Sequence, residues 1–320
     1  MLPDGYMERQ YPIGALPQRD VADIRLDAFC SDPVDIDALM AEWKAKSEVF
    51  RSTPRETLDA VDSELVRLNA STQTLAKIEG LLTAYRAYLP TTYELAYVPI
   101  SKLITPQTYV ELEHARQSFQ GLSRKLTDDE VAQYCLGAPV QGGKIDATFL
   151  GYPKGDPGET NYLYQFSSED DNMRFIPPMP LKPLHDLDLS AETSSARYDV
   201  KAIPVLVGPG LPFIQVLKVP LRMDREGGRV SRLIISNGVH RIFRLAELGN
   251  THVAAIVQTA SMQEVPDPFV EARRDTLFGP NALRATDIAN MDVGRAFRWK
   301  KSKRVIKLQV KILQEFSLVP

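Results

Sequence analysis

The stretch RLIISNGVHRIFRLAELG, residues 232–249, decides how this chain is read, because its hydrophobic pattern changes partway along it. Val230 to Ser236 reads as an apolar strand, whereas Ile242, Leu245 and Ala246 share one helical face, which predicts a helix from Val239 to Leu248 stopped by Gly249. Working outward, Ile214 to Met223 is the other arm of a hairpin, joined across Glu226, Gly227 and Gly228, and Val253 to Gln258 is a further strand. Strand, helix and strand with a short crossover imply a parallel pair.

Between strand and helix stand Ser236, Asn237, Gly238, Val239, His240 and Arg241, and physically this is an anion site. A helix start offers backbone amides and the positive end of the dipole, and a glycine there permits both a tight turn and close approach of a phosphate. His240 and Arg241 add side-chain donors, and a guanidinium can hold phosphate oxygens through two bonds. The same residues also read as a turn asparagine, a turn glycine and a histidine that caps local carbonyls. Spacing alone leaves both readings open.

The run from Pro212 to Gln258 resembles the core of the ParB and sulfiredoxin superfamily. There an apolar strand leads into Gly-x-His-Arg or Gly-Glu-Arg-Arg, then a helix, then a strand. Pro212, Ile214, Val216 and Leu217 match the preceding proline and strand. Gly238, His240 and Arg241 match the signature, Leu245 to Gly249 the helix end, and Val253 to Val257 the next strand. The resemblance implies that Asn237, Gly238, Val239, His240 and Arg241 hold a nucleotide phosphate, as members do for CTP, ATP or ADP. The implied ligand is ATP or CTP with magnesium, with binding as the leading function and hydrolysis left open. Three departures narrow this. Sulfiredoxin carries a reactive cysteine where Val239 stands; no helix-turn-helix of the ParB kind is legible between Pro266 and Arg298; and kinase-like relatives often carry an acid where Asn237 stands. No catalytic residue is assigned.

Elsewhere the first half reads helical. Thr53, Pro54 and Glu56 form a capping signature ahead of Leu58, Val61, Leu65 and Leu68, and Ile78, Leu82, Tyr85 and Leu89 continue the spacing. An earlier helix starts at Pro33 and buries Ile36, Leu39, Met40 and Trp43; others follow Pro106 and Thr127, the latter with Glu130 in a capping box. Glycine and proline crowd Gly137 to Gly158, which places a boundary near residue 145. The expected architecture is α+β: a helical region over 1–145, then a ParB/sulfiredoxin-like mixed-sheet domain over 146–320. Ala147 to Tyr152 and Tyr162 to Phe166 make a hairpin there, and Ile306, Leu308, Val310 and Ile312 alternate along a final strand.

A chain of 320 residues, 44% apolar and 25% charged, is long enough to bury one large core or two smaller ones. The longest uncharged stretch, Ala202 to Leu217, is broken by prolines and glycines, and no secretory signal is read at Met1 to Gly14, so the expectation is a cytoplasmic protein without a membrane span. Cys30 and Cys135 have no metal spacing and read as buried free thiols. A net charge of −3 leaves any affinity for DNA or RNA to a local patch. Arg295, Arg298, Lys300, Lys301, Lys303, Arg304, Lys307 and Lys311 supply one, with Phe297 and Trp299 among them. Such a segment either binds phosphates and stacks bases or is an edge strand protected by lysines. Acidic runs at Glu169 to Asp171 and at His185, Asp186 and Asp188 read as solvated loops, and no metal ligand is assigned. Glu111, Glu113 and His114 receive no role. The competing function class is a non-catalytic interaction module that binds a protein partner through the N-terminal helices; a third is a metal-dependent nuclease.

Overall fold

From its start the chain forms strand β1 (Tyr6–Tyr11), helices α1 (Gln18–Leu26) and α2 (Ile36–Ser52), strands β2 (Ala60–Val61) and β3 (Val66–Arg67), and helix α3 (Thr72–Ala84). Strands β4 (Glu94–Pro99), β5 (Leu103–Ile104) and β6 (Val110–Glu111) follow, then helices α4 (Leu112–Gln117) and α5 (Asp128–Ala132), the last running into a π-helical turn, Gln133–Gly137. The computed structural model describes residues 5–27, 30–54, 56–86, 89–117, 123–137, 145–151, 159–168, 174–176, 206–208, 213–223, 229–261, 277–279, 281–300 and 304–313.

This N-terminal half is not the helical region that its apolar spacing predicts. Helix α2 begins at Ile36 because the Asp35 carboxylate accepts from the Asp37 and Ala38 amides, and it ends at Ser52, so Thr53 and Pro54 stop a helix rather than start one. Leu58 to Leu68 then run through two short strands and a tight turn. The helix expected after Pro106 begins instead at Leu112. The Thr127 and Glu130 capping box forms as its spacing demands.

Strands β7 (Ile145–Gly151) and β8 (Glu159–Ser168) pair antiparallel, as do β9 (Arg174–Ile176) and β10 (Leu206–Gly208). The deciding stretch supplies β11 (Gln215–Met223), β12 (Arg229–Asn237), α6 (Val239–Glu247) and β13 (His252–Thr259). Helix α7 (Ala285–Ala289), β14 (Arg295–Lys300) and β15 (Arg304–Leu313) complete the chain, β15 lying at the edge of the β15-β8-β7 sheet.

The largest sheet is mixed, in the order β2-β12-β11-β13-β4-β3 with β5 also beside β12. Strand β12 has β11 along one edge and β2 and β5 along the other, so β13 cannot join it. The parallel pair forms between β11 and β13, Gln215 opposite Ile256, and α6 carries the chain past β11. Leu233, Ile234 and Ile235 are all buried, as expected of a central strand covered on both faces. A second sheet, β14-β1-β6, packs Met7, Tyr11, Phe297 and Trp299 around Ile13 and Leu39.

Two compact units result. The first is Met1–Tyr85, Leu89–Pro139 and Pro212–Lys301; the second is Arg86–Tyr88, Val140–Leu211 and Ser302–Pro320. A single boundary near 145 is therefore replaced by an insertion: β4 bonds to β13, and β2 and β5 to β12, so strands from both sides of that position build one sheet. Only one crossing, at Pro139 and Val140, falls in the glycine- and proline-rich stretch. Among the described residues no helix is long and apolar enough to cross a membrane.

Candidate functional site

Gly238 is the N-cap of α6 and sits in the left-handed region at φ 99°. A β-carbon there would lie 2.8 Å from Ile214 Cγ1 and 3.3 Å from Ile214 Cα, so sterics as well as dihedral preference demand glycine. Having no side chain, this cap leaves the helix start to main-chain groups. Phe213 and Ile214 are the floor beneath the turn. The Asn237 side-chain Nδ2 donates to Phe213 O at 2.6 Å, Ile214 N donates to Cys135 O at 3.2 Å, and Ile256 N donates to Ile214 O at 2.9 Å.

Arg241 reaches the same Cys135 oxygen through Nη1 at 3.0 Å. It is 7% exposed, and burial lowers its guanidinium pKa, with Cys135 and Tyr134 acting in the opposite direction. The side chain expected to hold phosphate oxygens is thus a buried one that joins α6 to the π-helical turn. The cause is the spacing of α6: Val239, Ile242 and Phe243 are buried, and Arg241 points into the protein with them.

His240 is half-buried and accepts at Nε2 from the Glu111 amide, 3.1 Å away. Its ring meets His114 edge to face at 4.8 Å. The Glu111 carboxylate pairs with Arg9 at 3.1 Å, and the Arg9 guanidinium lies 4.5 Å from the Tyr109 ring and 4.6 Å from that of Trp299. Glu111 and His114, to which the sequence assigns no role, therefore belong to the surroundings of the turn. No local signal marks them, since the Glu111 contact spans 129 residues.

Both cysteines are buried and free, and burial pushes the Cys135 thiol up to about 12. A cleft lined by Pro90, Gln215, Ser236, Ile256 and Gln258 encloses about 20 Å³, room for one water and not for a base.

The basic segment is only partly available. Trp299 is 5% exposed in the core of the second sheet, which removes it as a base-stacking platform. Arg295 pairs with Glu42 and with Asp32. Arg298 and Lys300 are exposed, but the register sets Arg298 opposite Glu8 and Lys300 opposite Tyr6, so this face carries mixed charge. Lys301 and Lys303 lie outside the described residues, and Arg304 opens β15 in the second unit. The two acidic runs, at Glu169 to Asp171 and at His185 to Asp188, also lie outside them. Among the described residues no group of three or more His, Cys, Asp and Glu is placed to hold a metal ion.

No protein-family model matches the chain, and no match was found among curated proteins or solved structures.

Proposed function

We propose that the chain binds a nucleotide phosphate at the start of α6. The observation that carries the reading is Gly238: a left-handed glycine pressed against Ile214 opens a nine-residue helix whose dipole has its positive end at the turn. The resemblance to the ParB and sulfiredoxin superfamily supports the same ligand class. In this reading the main chain from Gly238 to Arg241 and the His240 ring face the phosphate, while Arg241 shapes the turn from within. ATP and CTP, with magnesium, are the first candidates, and the chemistry that follows binding is open to hydrolysis. Work near DNA or RNA rests on the exposed cations Arg298 and Lys300. A thermal-shift screen of ATP, CTP, GTP and their diphosphates, with and without magnesium, tests the proposal: a ligand at one hundred times its Kd adds about 2.7 kcal/mol to native stability. No shift with any of them would overturn it.

A second reading, an interaction module, has its own support. Asn237, His240 and Arg241 each bond to the protein's own main chain, and α1 and α2 carry the exposed apolar side chains Leu26, Ile36 and Val49.

A further inference from the structure

Gln10 stands in the central strand of the β14-β1-β6 sheet, opposite Ala296 on one side and Val110 on the other. It is 1% exposed, and neither its Oε1 nor its Nε2 has a hydrogen-bond partner among the described residues. A primary amide buried in this way has lost its bonds to water with nothing in return, which disfavours the closed arrangement around it. The turn 290–294 lies against the amide. A β-carbon on Gly294 would stand 2.2 Å from Gln10 Nε2 and 2.9 Å from Asn290 O, so glycine is what lets the turn close this far. Asn290, Met291 and Asp292 are exposed, and Val293 is the side chain that the turn buries. Two other elements hold the turn down. Gly14 N donates to Val293 O at 2.8 Å, and the Lys46 ammonium on α2 donates to Met291 O at 3.0 Å, Gly294 O at 2.7 Å and Asp292 O at 3.5 Å. One flexible side chain therefore ties both ends of the turn to the first unit.

We propose that the turn 290–294 is a latch: Lys46 holds it shut over Gln10, and the unpaired amide, which regains hydrogen bonds to water once the turn lifts, keeps opening within reach of the folded protein. Opening is local. It breaks the Gly14 bond to Val293 and the bonds of Lys46, and it leaves in place the ladder between β1 and β14, whose nearest pair is Tyr11 with Arg295. Nothing in this inference depends on a ligand at α6.

The test is native-state amide hydrogen exchange of the full chain across low concentrations of urea. The Gly14 amide should exchange at a rate that urea does not change, as a local opening requires, while the amides of the central strand β12 exchange through unfolding that urea accelerates. Gln10→Met keeps the size of the side chain and removes its polar atoms, so it should slow Gly14 exchange about tenfold; Lys46→Met should speed it about tenfold, the worth of one hydrogen bond in each case. Gly14 exchange that rises with urea in step with β12, or that is the same in Gln10→Met as in the wild type, would overturn the latch. A folded Lys46→Met with unchanged Gly14 exchange would overturn it as well. If Lys46→Met does not fold, the wild-type urea response and the Gln10→Met comparison decide.

Discussion

Three glycines form a graded experiment on the turn that opens α6. Gly238→Ala meets two costs: left-handed strain of roughly 1 to 2 kcal/mol, and overpacking of roughly 1 to 3 kcal/mol, since the new carbon lies 2.8 Å from Ile214 Cγ1 and is also close to its backbone. The sum is roughly 2 to 5 kcal/mol, to be set against about 5 to 15 kcal/mol for a whole domain. Gly249 has φ 79° and nothing within 4 Å of the added carbon, so Gly249→Ala carries only the strain. Gly80 lies inside α3 with open space around it, so Gly80→Ala should add about 0.5 to 1 kcal/mol by helix propensity. Trp43 and Trp299 both lie in the first unit, so tryptophan fluorescence during denaturant or thermal unfolding reports that unit. At roughly 2 to 4 °C per kcal/mol, Gly238→Ala should lower Tm by roughly 4 to 20 °C. A Gly238→Ala variant no less stable than Gly249→Ala would refute the contact with Ile214 and the turn built on it.

Arg241→Ala should lower stability by about 2 to 4 kcal/mol in urea unfolding, since it empties buried volume and breaks the bond to Cys135 O; a fully stable variant would mean a solvent-facing guanidinium. Cys135, its thiol held protonated by burial up to about 12, should resist a thiol reagent at pH 8 in the native protein and react on unfolding; rapid native labelling would contradict the packing of the π-helical turn. Hydrogen bonds from Arg124 and then from Thr127 hold the Glu130 carboxyl down at about 2. Because its folded value lies below its ordinary one, this stabilisation is full above about pH 4.5 and is lost as pH falls toward 2; Glu130→Gln should flatten the acid limb of a Tm-versus-pH profile, and an unchanged profile would argue against the capping box.

What was legible in the sequence was local. Gly238 between an apolar strand and an amphipathic helix announces the β12–α6 turn, and Gly249, with its positive φ, announces where α6 ends, because both signals act within a few residues. Thr127 and Glu130 are readable for the same reason. Leu58 to Leu68 mislead because a spacing of three and four also suits apolar residues distributed over short strands and turns, and only pairing with β12 and β4 decides between them. Arg241 and His240 are legible as chemistry but not as geometry. Their acceptor and donor, Cys135 O and the Glu111 amide, lie 106 and 129 residues away, and sequence spacing cannot say which way a side chain at a helix start will turn. Trp299 shows the same limit: its basic neighbours suggest a nucleic-acid surface, yet strand alternation sends the ring into the core and leaves Arg298 and Lys300 outside.

The claim that the start of α6 receives a phosphate is tested most directly by following backbone amide resonances while ATP or CTP is titrated into the full chain with magnesium. The account predicts saturable shifts concentrated at Gly238, Val239, His240 and Arg241, with the amides of β14 unmoved. Saturable binding that leaves those four amides unperturbed, or the absence of any saturable shift, would contradict it.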